Sequence, residues 1–93
     1  MTRSYSKNPE VVFRKIADEF ILVPIRQKAV DLKSIYTLNE VAAFIWELID
    51  GARTVQQIRD RVVEEFDTEA AQAESDIAEV LSQLELLSFI RKA

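Results

Sequence analysis

The chain has 93 residues, 48% of them hydrophobic, and a net charge of −4 at pH 7, the size and apolar content of one domain with a thin core. Histidine and cysteine are both absent, which excludes Ser-His and Cys-His nucleophile pairs, zinc on its usual nitrogen and sulfur ligands, iron–sulfur ligation and disulfides. A single glycine cannot build a phosphate-cradling loop, and no apolar run is long enough for a membrane span or a secretory signal. The expectation is a cytoplasmic, non-catalytic protein with no metal and no cofactor.

Residues 1–10 are polar and end in Pro9-Glu10, which reads as a loose leader, with one domain over residues 11–93. Two β-rich runs follow, residues 11–17 and 20–26, with Asp18-Glu19 as the turn between them. Pro24 cannot donate to a ladder and belongs near the end of its strand or at a bulge. Residues 29–36 alternate, with Val30, Leu32 and Tyr36 on one face and Asp31, Lys33 and Ile35 on the other, predicting a third, shorter strand.

Three helices come next. Thr37 and Glu40 stand at capping-box spacing before Leu38, Val41, Ala42, Ile45, Leu48 and Ile49, so a helix is expected over residues 38–50 with Gly51 as its left-handed stop. Thr54 and Gln57 form a second capping box, and Val55, Ile58, Val62 and Phe66 are the buried positions of the helix it opens. Thr68 is the expected cap of a third helix from residue 69 to about 87, whose apolar arc is Ala70, Ala73, Ile77, Val80, Leu81, Leu84 and Leu87. Phe89-Ile90 reads as a short terminal strand. Strands in one block and helices in the next predict an α+β fold, a three-stranded antiparallel sheet followed by a three-helix bundle. Two short helices and a longer third also suggest winged helix-turn-helix.

That architecture raises nucleic-acid binding, and the charges oppose it. Residues 1–33 carry seven Lys/Arg and four Asp/Glu, whereas residues 34–93 carry five and twelve. The third helix holds Glu69, Glu74, Asp76, Glu79 and Glu85 and no basic residue before Arg91, so in a major groove it would meet phosphates with like charge. A winged-helix nucleic-acid binder is therefore the alternative reading, together with a dimerisation or interaction module.

Leu38-Asn39-Glu40, then Trp46-Glu47-Leu48-Ile49-Asp50-Gly51 and Arg53-Thr54-Val55, resemble the PqqD-like peptide chaperones, also called RiPP recognition elements. The segments 13–19 (Phe-Arg-Lys-Ile-Ala-Asp-Glu) and 64–67 (Glu-Glu-Phe-Asp) fit the same pattern, while Ser88 departs from a position where the family often has glycine. The resemblance implies a winged-helix fold and capture of a precursor (leader) peptide by strand addition between the third strand and the third helix. It also implies presentation of that peptide to a radical S-adenosylmethionine enzyme, as in pyrroloquinoline quinone biosynthesis or the making of related peptide-derived products.

Carried over by position, the peptide-binding residues are Val30, Leu32 and Ile35 from the strand and Ile77, Val80, Leu81 and Leu84 from the helix. The bland reading of all seven is core. Phe44 and Trp46 flank the stripe of the first helix and are candidate partner contacts. Leu86, which points away from the third helix's stripe, is a candidate contact for a partner or a homodimer. The basic Arg14, Lys15, Arg26, Lys28 and Lys33 are suited to attracting an acidic peptide.

Overall fold

The computed structural model describes residues 3–25 and 35–93, and it corrects the reading of the first ten. Tyr5–Lys7 form a strand, β1, with Tyr5 buried at 5% exposure. It pairs antiparallel with the last strand, β5 (Ile90–Lys92), Tyr5 opposite Lys92. The Tyr5 carbonyl accepts from Gly51 N–H at 2.7 Å and the Arg3 carbonyl from Val55 N–H at 2.8 Å. The polar leader is thus stitched along one side to β5 and along the other to the segment joining the first two helices. The terminal strand also starts one residue later than expected, at Ile90 rather than Phe89.

The main sheet has the order β2-β3-β4. β2 (Val11–Ile16) and β3 (Glu19–Pro24) pair from Val11 opposite Pro24 to Ile16 opposite Glu19. The turn is therefore Ala17-Asp18, not Asp18-Glu19, and Ala17 takes the left-handed φ of 54° that a tight hairpin needs at its first residue. Directly opposed residues share a sheet face, so Phe13, Leu22 and Tyr36 point one way, as do Lys15, Phe20 and Leu38. Leu22 and Leu38 are buried, and Phe13 and Phe20 stack with ring centroids 5.8 Å apart. Lys15 lays its ammonium 5.5 Å from the Phe20 ring centre.

The third strand of the sheet, β4, is Tyr36–Leu38. The expected strand over residues 29–36 meets it only at Tyr36, and residues 26–34, including Val30 and Leu32, lie outside the described residues. Leu38 is consumed by pairing with Phe20, so the first helix, α1 (Glu40–Leu48), starts later than its pattern suggested. Its cap is Asn39, not Thr37: the Asn39 side chain accepts from Ala42 N–H at 2.8 Å. Thr37 is spent in the strand, opposite Ile21.

α2 (Val55–Phe66) carries the predicted capping box in full, with Thr54 and Gln57 bonded reciprocally. α3 (Ala70–Leu86) is capped at Glu69 rather than Thr68, with no side-chain bond to the first turn. The three helices close on the sheet through Ala42, Ile45, Ile58, Val62, Ala73, Ile77 and Leu84, all below 5% exposed. Phe44 meets Phe66 edge-on at 5.4 Å, joining α1 to the end of α2.

Two turns make local predictions. Asp50 Oδ1 accepts from Ala52 N–H at 2.9 Å and Arg53 N–H at 2.8 Å, and these bonds, aided by the Arg53 charge, hold its carboxyl below the usual value. A carboxylate whose folded pKa is depressed stabilises the fold above its unfolded pKa, and that stability is lost as pH falls through the folded value. Wild type should therefore lose more thermal stability than Asp50→Ala on acidification below about pH 4; parallel melting curves would refute this.

The second turn ends α3. Ser88 N–H bonds Glu85 C=O at 3.0 Å and Phe89 N–H bonds Leu84 C=O at 2.9 Å, with Ser88 at φ 62°. These are the two bonds of a Schellman stop, which favours glycine at the left-handed residue. Ser88→Gly should raise the unfolding free energy by about 1 kcal/mol in urea titration; a loss would mean that the serine hydroxyl holds the turn.

Candidate functional site

β4 lies at the edge of its sheet, and no strand among the described residues pairs with its free side. An edge strand offers unpaired N–H and C=O groups. Tyr36 and Leu38 face the helices, and the Tyr36 hydroxyl is hydrogen-bonded to Gln83 Oε1 of α3. Between strand and helix lies a cleft of about 190 Å³, walled by Tyr36, Thr37, Asn39, Val41 and Ala42 on one side and by Asp76, Glu79, Val80 and Gln83 on the other. That volume is below the range of small-molecule pockets and suits one or two side chains of an extended peptide.

The helix wall is one face of α3, because residues 76, 79, 80 and 83 recur at helical spacing. Val80 and Val41 supply half-buried apolar surface. Asp76 and Glu79 supply carboxylates, and Asp76 Oδ1 accepts from Gln72 Nε2 at 2.9 Å. Among the described residues no basic side chain lines the cleft. Burial first, and then the charge of Glu79, push the Tyr36 hydroxyl above its ordinary pKa, so the field of Glu79 reaches the cleft.

Of the residues anticipated from sequence, Val80 lines this cleft and Ile35 stands half-buried just ahead of β4. Ile77 and Leu84 are core, at 1% and 0% exposure, so neither side chain is open to a guest. Leu81 is also buried and lies against a different, larger groove of about 750 Å³ with Tyr5, Val55 and Leu86. The expected contact Trp46 is 3% exposed, with the Lys7 ammonium 5.2 Å from the ring centre, and Phe44 is half-buried against Phe66. Trp46 thus presents no free aromatic face, whereas Phe44 lines a shallow surface groove with Phe20 and Phe66. Leu86, by contrast, is 85% exposed.

Tyr36, Thr37, Asn39, Val41, Ala42, Asp76, Glu79 and Gln83 line the cleft without having been anticipated as binding residues. Asp76, Glu79 and Gln83 had a usable signal, since they flank Val80 at i−4, i−1 and i+3 on α3.

A three-stranded antiparallel sheet and three helices after it, the last of them beside the edge strand β4, define an α+β domain of the winged helix-turn-helix kind. The chain belongs to the PqqD family: the family described as Coenzyme PQQ synthesis protein D matches residues 19–90. Relatives called PqqA binding protein, from Xanthomonas oryzae pv. oryzae (strain PXO99A) and Xanthomonas euvesicatoria pv. vesicatoria (strain 85-10), are 33% identical over 54 residues. Those residues are 58% of this chain and 59% of each relative, so the match spans about three fifths of the relatives' length. Two solved structures share the fold. TbiB1 in complex with the TbiA(beta) leader peptide is 21% identical, with TM-score 0.73 over 92% of this chain and 94% of that one. A lasso peptide synthetase B1 complexed with the leader peptide is 19% identical, with TM-score 0.75 over 95% and 98%.

Proposed function

We propose that this chain is a non-catalytic chaperone that captures a precursor peptide as an added strand on β4 and presents it to a modifying enzyme. The observation that carries this is the outer edge of β4, which no strand among the described residues covers, beside a cleft under α3 that Val41 and Val80 help to line. Main-chain hydrogen bonds supply affinity in such an arrangement, and the cleft selects among side chains. Family membership, relatives named for binding PqqA and fold neighbours solved with leader peptides support the same reading. Tethering the leader raises the effective concentration of the segment to be modified at the partner's active site. The partner is a radical S-adenosylmethionine enzyme, the product is pyrroloquinoline quinone or a related peptide-derived compound, and the setting is cytoplasmic.

The test is a titration of isotope-labelled protein with peptides selected on it from a displayed random library. Amide shifts should concentrate at Tyr36–Leu38 and along residues 76–83. Shifts confined to other surfaces would refute strand addition. A second reading, a homodimer or interaction module, rests on exposed Leu86 at the mouth of the 750 Å³ groove. Sedimentation showing a dimer that Leu86→Ser dissolves would favour it.

A further inference from the structure

The cleft also carries information about the guest, and this inference rests on the strand-capture reading above. We propose that the captured strand carries an aliphatic side chain over Val80 and a lysine or arginine two positions away, beside Asp76 and Glu79.

Three observations lead there. The first is the sign of the wall. Asp76 and Glu79 line the cleft, and among the described residues no cation lines it with them. Glu74, on the same helix, is instead matched by Arg59 at 2.8 Å, whereas among the described residues Asp76 and Glu79 have no basic partner, Asp76 accepting only from the neutral Gln72. The second is distance. Val80 and Asp76 are four residues apart on α3, about 6 Å along its axis. Same-face side chains of an extended strand recur about every 6.7 Å. A guest running along α3 with an apolar residue at Val80 therefore sets its next same-face residue at Asp76. The third is where the described basic residues of the sheet lie. Arg14 and Lys15 belong to β2, the strand at the far edge from β4. They can draw in an acidic chain at long range, but they do not line the cleft. General attraction and local readout thus have opposite signs, which distinguishes a peptide with one well-placed cation from one that is acidic throughout.

The experiment pans one displayed random peptide library separately on the wild-type chain and on the double variant Asp76→Lys/Glu79→Lys, whose fold is checked by circular dichroism. Wild type should enrich peptides with an aliphatic residue and a Lys or Arg two positions apart, and the double variant should replace that Lys or Arg with Asp or Glu. A milder change covers the case in which the double variant does not fold. Glu79→Gln should weaken a wild-type-selected peptide several-fold at low salt, the size that an exposed charge pair supplies, and salt should erase the difference. Selected peptides that shift the amides of β4 and α3 without any preference for a cation would overturn this inference and leave strand capture standing. A library that yields no binder, or binders that leave those amides unmoved, would overturn strand capture and this inference with it.

Discussion

Leu22→Ala will lower the unfolding free energy by about 3 kcal/mol, the middle of the range for emptying a fully buried leucine site. Leu22 is 0% exposed and sits in the central strand, opposite Phe13 on one side and Tyr36 on the other. Both neighbours are held by strand pairing, so the site cannot collapse freely and the vacated volume persists. Domains have about 5–15 kcal/mol of stability in total, so the loss is a large share of it. With a urea slope of about 2 kcal/mol per molar, the midpoint should fall by about 1.5 M and the slope should not change. A loss below about 1 kcal/mol would show that β2 and β4 close over the gap, which contradicts a rigid sheet. The function should suffer too, since β3 is the strand that holds the β4 edge in place.

The second large effect separates binding from folding. Val80 is half-buried in the helix wall of the cleft and borders its open volume. Val80→Phe fills that volume with the protein's own side chain. A library-selected peptide should then bind at least about tenfold more weakly, a loss of about 1.4 kcal/mol, while the urea midpoint stays level or rises. Ile77→Ala, at a buried position one turn back, should do the reverse, costing stability first. If Val80→Phe leaves affinity intact, the guest does not use this cleft.

The helices were legible in the sequence from the period of their apolar positions, although of the three expected caps only that of α2 is the observed one. The reciprocal bonds of Thr54 and Gln57 appear as written, and Ile58, Val62, Ala73, Ile77, Leu81 and Leu84 all face inward. The strand edge was harder to read, for a specific reason. Thr37, Leu38 and Asn39 offer two helix starts, and local spacing alone favours Thr37 with Glu40. The choice falls to Asn39 because Tyr36–Leu38 gain three partners on β3, a non-local term that no window of sequence contains. The strand Tyr5–Lys7 was missed likewise: three polar-flanked residues carry no period, and their order comes from β5, some 85 positions away in the chain. At the cleft, Val80 was visible as an apolar position. Its partnership with Tyr36 and Gln83 was not, because a hydrogen bond between residues 36 and 83 leaves no local trace.

The pairing of β1 with β5 has an architectural consequence. Tyr5 lies directly across from Lys92, and Ala93 N–H reaches the Ser4 carbonyl at 3.0 Å, so the first and last strands of the described fold meet at a doorway a few ångströms wide. That doorway belongs to a different sheet from the one bearing β4. A domain bounded by these two strands can therefore sit within a loop of a larger protein without disturbing the β4 edge.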